Sequence, residues 1–199
     1  SISCFSFAML KYNLSYWERE TSFKPIDVAV IGSGLVGLAA AIHLKTRDPK
    51  LNVAVLERGP LPVGASTRNA GFACFGSMTE LLDDLTHMRM DDVLDLVEKR
   101  WRGLQRLRTL IGDENLEFMQ LGGNEMFTEE EEETFRRCVD HIPDFNRSIG
   151  AITGHREVYK VTDERLPEFG FRRVRHLILN QPEGQVHTGK MMAALLRLA

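Results

Sequence analysis

The hydrophobic positions near the start of the chain predict a strand, a helix and a second strand. Residues 27–31 form a short apolar run rich in β-branched side chains, which is typical of a buried parallel strand. Apolar side chains then surround most of residues 34–44, as expected of a helix packed on a sheet. Asp48-Pro49 predicts the end of this helix, because the residue before a proline avoids helical geometry. With residues 52–56 as the second strand, the order predicts a right-handed βαβ unit.

The next segments predict a long helix and a hairpin. Apolar side chains recur every three to four residues over residues 91–111, and Gly112 follows as a C-terminal stop. Residues 116–127 predict two strands joined by a turn at the glycine pair 122–123. Residues 173–179 predict a further strand.

An acidic run, TEEEEETFRR, covers residues 128–137. Thr128 and Glu131 have the spacing of a capping box, and glutamates favour the positive end of a helix. The arginines that follow lie four residues after glutamates, which favours ion pairs on a solvated helix face. The run is therefore interpreted as a helix start and not as a site for a partner protein.

Between the first strand and helix lies the sequence GSGLVG, which has the spacing of a dinucleotide-binding turn. Gly32 permits a tight turn off the strand, Gly34 leaves no side chain between the backbone and a pyrophosphate, and Gly37 lets the helix pack close to the strand. The helix start offers N–H groups and a partial positive charge to the anion. The predicted phosphate-binding residues are Gly32, Ser33, Gly34, Leu35, Val36 and Gly37.

Glu57 ends the second predicted strand, about 20 residues after Gly37, where a dinucleotide fold places an acidic residue. Its carboxylate is predicted to accept the hydroxyls of an adenosine ribose. It would repel a ribose 2′-phosphate, which disfavours the phosphorylated nicotinamide cofactor. These features alone do not distinguish NAD from FAD.

Three further segments resemble a known family: residues 15–18 (SYWE), residues 56–59 (LERG) and residues 64–71 (GASTRNAG). With them the chain resembles the D-amino-acid oxidase-like (DAO) family of FAD-dependent oxidoreductases, in the branch that oxidises glycine, sarcosine and γ-glutamylputrescine. The resemblance is specific over residues 25–76 and general elsewhere. Members of the family are considerably longer, so the chain is interpreted as an N-terminal fragment, inactive by itself.

The resemblance implies an α/β fold with two parts. One is a Rossmann-like FAD/NAD(P)-binding domain with a parallel sheet and helices on its faces, and the other is an inserted α+β substrate domain, cut short here. The predicted division is an extension at 1–24, the first part of the FAD-binding domain at 25–112, the start of the substrate domain at 113–180, and a return segment at 181–199. The return segment is predicted to contain a helix from residue 188 to the end.

The resemblance also implies FAD as the cofactor and a small amine or amino acid as the substrate. Small side chains in the loop would let the main chain approach the ribityl chain and the flavin ring, while its hydroxyl, amide and guanidinium groups would donate hydrogen bonds. The residues implied beside Glu57 are Arg58, Ser66, Thr67, Arg68, Asn69, Ala70 and Gly71. A covalent flavin link at Cys74 is disfavoured, since a lone cysteine between aromatic residues is typical of packing.

The implied reaction is oxidation of a C–N bond, with a hydride passing to flavin N5 and the imine then hydrolysed. No catalytic residue is identified in the chain. Two alternatives stay open: a nicotinamide-linked dehydrogenase built on the same βαβ unit, and a catalytically inactive dinucleotide-binding fragment.

Composition limits the other classes. The net charge of −3 gives no general attraction to nucleic acid, and no apolar run is long enough to cross a bilayer. The three cysteines and six histidines lack the spacing of a disulfide framework or a metal site, which favours a reducing cytoplasm. Residues 1–8, ahead of Met9, are interpreted as an upstream extension. The oligomeric state is not predicted.

Overall fold

The structure is a computed structural model that describes residue 13, residues 15–21 and residues 25–199. Residues 1–8, and most of the predicted extension at 1–24, lie outside the described residues. The helices are α1 (Tyr16–Thr21), α2 (Leu35–Arg47), α3 (Met78–His87), α4 (Met90–Ile111), α5 (Asp113–Leu116), α6 (Glu132–Thr153), α7 (Leu166–Phe169) and α8 (Thr188–Leu198). The strands are β1 (Val28–Ile31), β2 (Val53–Leu56), β3 (Phe72–Ala73), β4 (Gly123–Thr128), β5 (Tyr159–Val161), β6 (Val174–Asn180) and β7 (Gly184–Gln185).

The chain divides into two compact units, of which the first ends at Pro62 and the second is Val63–Leu198. The predicted boundaries at residues 112 and 180 stay predictions.

The first unit contains the predicted strand–helix–strand. β1 and β2 pair in parallel, from Val28 opposite Val53 to Ile31 opposite Leu56. The helix α2 ends at Arg47, and Asp48 leaves helical geometry just before Pro49, as predicted. Parallel strands need a crossover connection, and α2 supplies it. The order of apolar runs in the sequence was therefore enough to predict this unit.

The second unit is built on a three-stranded antiparallel sheet in the order β4-β6-β5. Its hydrophobic core joins this sheet to α3, α4 and α6, with Phe75, Tyr159 and Ile178 among its fully buried members. The predicted helices at 91–111 and 188–199 and the predicted strand at 173–179 are confirmed as α4, α8 and β6. The helix α3 and the body of α6 were not predicted.

The predicted hairpin over residues 116–127 is wrong. Residues up to Leu116 are helical, and only β4, from Gly123, is a strand. Gly122 does turn the chain, with φ of 77°, but β4 pairs with β6. Met119 exchanges two backbone hydrogen bonds with Gln185 instead. The segment therefore finds its partner more than 60 residues later, which local turn signals do not reveal.

The acidic run begins a helix, as predicted. The Thr128 N–H and hydroxyl both donate to the Glu131 carboxylate at 2.8 Å, in a capping box, and α6 follows from Glu132. Glu132 and Arg136 form one of the predicted ion pairs at 3.0 Å.

The start of α3 is held by a side chain from the sheet. The carboxylate of Glu125 in β4 accepts the backbone N–H of Met78 at 3.0 Å and that of Thr79 at 3.2 Å. It also accepts the Thr79 hydroxyl. The capping residue Ser77 accepts the N–H of Glu80 at 3.3 Å. Hence N–H groups that a helix leaves unpaired at its start find partners here.

A candidate dinucleotide site

The turn after β1 requires glycine at its first position. Gly32 has φ of 95°, which strains any residue with a side chain, and the space beside it is open to 4 Å. Its N–H donates to the carbonyl of Leu56 at 2.7 Å, which extends the pairing of β1 with β2 by one residue. The backbone therefore turns sharply at the carboxyl end of the sheet, with open space beside it, as close approach by a ligand requires.

Gly37 lies where α2 passes closest to this turn. A Cβ added at Gly37 would overlap the carbonyl oxygen of Gly32 and lie 3.3 Å from a methyl carbon of Val30. Only glycine fits without a shift of the backbone. This contact is the physical reason for the third glycine of the motif, since it lets the start of α2 lie directly over the end of β1.

The start of α2 is suited to a negatively charged ligand. Gly34 is the capping residue and provides no side-chain hydrogen bond, and the first turn carries no acidic residue. The first helical bond runs from Leu38 N–H to Gly34 C=O at 3.0 Å. By helix geometry, the N–H groups of Val36 and Gly37 have no partner inside the helix. Val36 is 82% exposed, so this end of α2 faces open space.

Ser33 fixes the Glu57 carboxylate beside the glycine turn. One oxygen of Glu57 accepts the Ser33 N–H at 2.9 Å and the Ser33 hydroxyl at 2.8 Å. The other accepts the N–H of Gly59 at 3.2 Å. The bonds from Ser33, and then that from Gly59, lower the pKa of Glu57 to about 2. Glu57 is therefore a carboxylate at neutral pH, and it forms no ion pair among the described residues.

These features fit the adenosine and pyrophosphate part of a dinucleotide. A carboxylate has about four lone-pair directions, and the protein uses three of them at Glu57, so capacity remains for a hydroxyl donor. The negative charge would repel a ribose 2′-phosphate. The sequence predicted Glu57 at this place, but it missed the part that the Ser33 side chain plays in holding it. A small polar residue between the first two glycines was the available signal.

The predicted loop, residues 64–71, belongs to the second unit and is held in shape by hydrogen bonds between its own residues. The side chain of Asn69 donates to the carbonyl of Ala65 at 2.8 Å and accepts the N–H of Gly71 at 3.0 Å. The Thr67 N–H donates to the carbonyl of Gly64 at 3.0 Å. Both polar atoms of Asn69 thus hold the loop in shape. The exposed side chain of Arg68 is not part of this bracing.

Gly71 joins the loop to β3. It has φ of 77°, and an added Cβ would overlap the carbonyl oxygen of Val186. The Val186 N–H donates to the Gly71 carbonyl at 2.8 Å, beside the pairing of β3 with β7. The loop is therefore anchored at its end by strand pairing, a feature that sequence reasoning missed.

The predicted residues fall into two groups, one in each compact unit. Those of the first unit meet around the turn, except that Arg58 is exposed just beyond Glu57. Of the loop residues, Ser66 is half-buried and Gly71 is buried, while the others are exposed. The loop residues are Ser66, Thr67, Arg68, Asn69, Ala70 and Gly71.

Sequence reasoning also missed a buried carboxyl group in the second unit. Glu183 is 6% exposed, and one of its oxygens accepts the N–H of Phe75 at 3.0 Å and of Gly76 at 3.4 Å. Burial, despite these two bonds, raises the pKa of Glu183 to about 7. Burial and the Glu183 charge also raise the pKa of the nearby Cys74 thiol, so that this cysteine is a poor nucleophile at neutral pH.

A Rossmann-like strand–helix–strand with a glycine turn and an acidic residue just after its second strand is typical of a dinucleotide-binding protein. The chain belongs to the DAO family, FAD dependent oxidoreductase, whose model matches residues 27–199. FAD is thus the cofactor of its family. No curated protein matches the chain significantly.

Solved structures share the fold. Glycine oxidase from Bacillus cereus is 20% identical with a TM-score of 0.58, and the match covers 87% of this chain and 43% of that one. Glycine oxidase from Geobacillus kaustophilus is 24% identical with a TM-score of 0.56, over 86% and 43% of the two chains. L-proline dehydrogenase from P. horikoshii is 21% identical with a TM-score of 0.55, over 88% and 41%. The chain therefore spans less than half the length of these proteins.

Within the described ranges, no helix is both long and apolar enough to cross a membrane.

Proposed function

We propose that this protein is an FAD-dependent oxidoreductase that oxidises the C–N bond of an amine or amino acid. The observation that carries the proposal is the ionised Glu57 carboxylate, held by Ser33 beside a glycine turn, in a chain of the DAO family. The names of the similar structures, glycine oxidase and L-proline dehydrogenase, support this substrate class.

Each residue of the turn has a proposed part in holding FAD. The backbone of the turn from Gly32 to Gly37 would lie against the pyrophosphate. The N–H groups of Val36 and Gly37, which have no partner inside α2, would donate to it, and the helix dipole would favour the anion. Glu57 would accept a hydroxyl of the adenosine ribose while Ser33 keeps its carboxylate oriented. Arg58 follows directly and would lie beside the same nucleotide.

The loop is proposed as a second contact for FAD. Its bracing by Asn69 and Gly71 would present backbone groups in a fixed shape, and the Arg68 guanidinium would donate hydrogen bonds to the cofactor. The side chains of Ser66 and Thr67 and the small residue Ala70 would allow close approach. The two groups of residues belong to different compact units, and the reasons for proposing each are independent.

When bound, FAD supplies the acceptor for a hydride from the carbon next to the substrate nitrogen, and water hydrolyses the imine product. The chain's own residues would bind and orient the two molecules. The family membership disfavours the nicotinamide-linked alternative, because FAD is the family's cofactor. The second alternative, an inactive binding fragment, makes a distinct prediction in the experiment that follows.

The test is a titration of the purified protein with FAD, followed by anaerobic addition of glycine, L-proline and short alkylamines. We expect saturable FAD binding by the 199-residue chain, which is predicted to be inactive by itself, and a loss of the flavin's visible absorption with at least one of these compounds in a protein of the length of the solved relatives that contains this chain. FAD binding without bleaching would favour the inactive fragment. Tight binding of NADH with no binding of FAD would overturn the proposal.

A further inference from the structure

The backbone of Phe75 and Gly76 is held by side chains from distant parts of the second unit. Its two N–H groups donate to one oxygen of Glu183, at 3.0 and 3.4 Å. The carbonyl of Gly76 accepts the Tyr159 hydroxyl at 2.7 Å and the Asn180 amide at 3.3 Å. The position of this dipeptide therefore depends on side chains and not on the hydrogen bonds of a helix or a strand.

The dipeptide belongs to the bridging segment, residues 71–77, which joins the loop at 64–71 to α3. The first part of the segment is held by strand pairing, since β3 pairs with β7 and the Val186 N–H donates to the Gly71 carbonyl at 2.8 Å. Glu183 directly precedes β7. The side chain of Glu183 and the residues that follow it thus hold the two ends of the bridging segment.

The Glu183 carboxyl group is 6% exposed, and no described residue forms an ion pair with it. Both of its hydrogen bonds reach the same oxygen, and the second oxygen lies against Gly123, where an added Cβ would overlap it. The Arg100 guanidinium donates to Glu80 at 2.8 Å and to the Phe75 carbonyl at 3.2 Å. The titratable and charged groups that face Glu183 are Cys74 after β3, Glu80 in α3, Arg100 in α4, Glu125 in β4 and Tyr159 in β5.

A proton can reach Glu183 from solvent. Glu183 lines a cavity of about 230 Å³ together with Phe72, which is 77% exposed. Burial disfavours the ionised form of Glu183, outweighs the two backbone hydrogen bonds, and raises its pKa to about 7. The group therefore changes its charge near neutral pH while it is buried.

We propose that Glu183 is a proton-operated latch on the bridging segment. When protonated it keeps the segment closed, and when ionised it leaves Phe75 and Gly76 for water and lets the segment open. The protonated group still accepts both N–H groups through its carbonyl oxygen and buries no charge. The ionised group accepts them more strongly, but these bonds do not offset the hydration that burial removes. The latch is a property of the chain without a cofactor, so it does not rest on the proposed function.

The size of the effect follows from the two forms of the segment. The pKa of Glu183 is about 7 when it is buried, against an ordinary value of about 4.5 when it is exposed. Stabilisation of the closed form is therefore complete below the ordinary value, declines as the pH rises through the buried value, and is constant above it. The ratio of open to closed segment should rise about ten-fold between pH 6 and pH 8.

The experiment is amide hydrogen exchange, followed by NMR, on the 199-residue chain without FAD at several pH values from 6 to 8. After division by the intrinsic exchange rates, the protection of the Phe75 and Gly76 N–H groups should fall about ten-fold over this range. The Gly154 N–H, which donates to the Gly150 carbonyl at 2.9 Å at the end of α6, is the reference in the same unit. Constant protection at Phe75 and Gly76, or an equal fall at Gly154, would overturn the inference.

A variant identifies the group that titrates. Glu183→Gln keeps an acceptor oxygen in a side chain of the same shape but cannot ionise. Protection of Phe75 and Gly76 in this variant should exceed that of the wild type at pH 8 and should not change with pH. Glu130→Gln, an equal loss of charge at an exposed helix start, should keep the wild-type dependence. A Glu183→Gln profile parallel to the wild type would assign the effect to another group, such as His176, and remove the latch.

A second measurement uses the wild type alone and covers the case in which Glu183→Gln does not fold. The carboxyl carbon of Glu183 is followed by NMR through a pH titration, and its midpoint should lie at about 7 and coincide with the midpoint of the fall in protection. A midpoint at the ordinary value of a glutamate, or two midpoints that differ, would contradict the inference. The titration with FAD tests the proposed function separately, because loss of FAD binding leaves the exchange at Phe75 and Gly76 unchanged.

Discussion

Ser33 and Glu57 are joined by two hydrogen bonds to a single carboxylate oxygen, one from the backbone N–H and one from the hydroxyl of Ser33. Through them the second residue of the glycine turn orients the acidic residue at the end of β2. The same bonds hold Glu57 in its charged form. The turn and the acidic position, which are 24 residues apart in sequence, are thus one structural element.

The first prediction concerns this pair. Glu57→Gln should weaken FAD binding by about 10- to 100-fold, since charge-assisted hydrogen bonds contribute about 1.5–3 kcal/mol. Ser33→Ala keeps the N–H and loses only the hydroxyl, so a loss of about five-fold is expected. Fluorescence titration with FAD measures both. Glu114→Gln, on a short exposed helix of the second unit, is the control. Equal affinities for Glu57→Gln and the wild type would remove Glu57 from the site.

The second prediction compares two helical glycines. Gly37→Ala forces a methyl group onto the Gly32 carbonyl and should lower the free energy of unfolding by about 3 kcal/mol, as overpacking does. Gly103 lies in α4 with open space around its Cα, so Gly103→Ala should stabilise the protein by up to about 1 kcal/mol. Chemical denaturation measures the two values. If both variants were equally stable, the close contact at Gly37 would be disproved.

The third prediction distinguishes a residue that holds the loop of the second unit in shape, Asn69, from one proposed to contact FAD, Arg68. Asn69→Ala breaks two hydrogen bonds within the loop and should make it more sensitive to proteolysis even without FAD. Arg68→Ala should leave the free loop unchanged but weaken FAD binding or shift the flavin absorption. Arg102→Ala, an exposed change in α4, serves as the matched control. An Arg68 variant with wild-type affinity and spectrum would place this side chain outside the site.

The fourth prediction is a pH effect at His176. Burial disfavours protonation of this ring, but hydrogen bonds to Asp163 at 2.6 Å and Glu132 at 3.0 Å outweigh burial and raise its pKa. Its ring also stacks on Phe135 at 3.9 Å. Because the folded pKa is raised, the stabilisation is complete below the unfolded pKa of about 6.5 and is lost as the pH rises through the folded value.

His176→Gln should therefore remove about 1 kcal/mol of stability at pH 6 and much less at pH 9. Thermal unfolding across this pH range measures the difference. His87→Gln, a change at an exposed position at the end of α3, is the matched control. A His176→Gln profile parallel to the wild type would contradict the argument.

The sequence predicted the βαβ unit well because each of its signals is local. The apolar runs, the glycine spacing and Asp48-Pro49 act within a few residues, so β1, α2 and β2 appear where they were expected. The same holds for Gly112 at the end of α4 and for Thr128 at the start of the acidic helix.

The features that the sequence failed to predict involve residues whose partners are distant in the sequence. Residues near Met119 pair with Gln185, and the start of α3 depends on Glu125, neither of which is marked by local periodicity. Glu183 stands in the polar segment QPEGQ, which is typical of an exposed turn, yet its side chain is buried and accepts the N–H groups of Phe75 and Gly76. The glycine motif likewise gives no indication that Ser33 forms hydrogen bonds with Glu57, because the motif specifies only glycines.

The attachment of α3 to β4 through Glu125 has a consequence for the dynamics of the second unit. The amide hydrogens of Met78 and Thr79 are protected by a strand and not by their own helix. Local opening of β4 would expose them to solvent at the same moment, so hydrogen exchange should detect α3 and β4 as a single cooperative unit. Glu125→Ala should uncouple the two, with faster exchange confined to the first turn of α3.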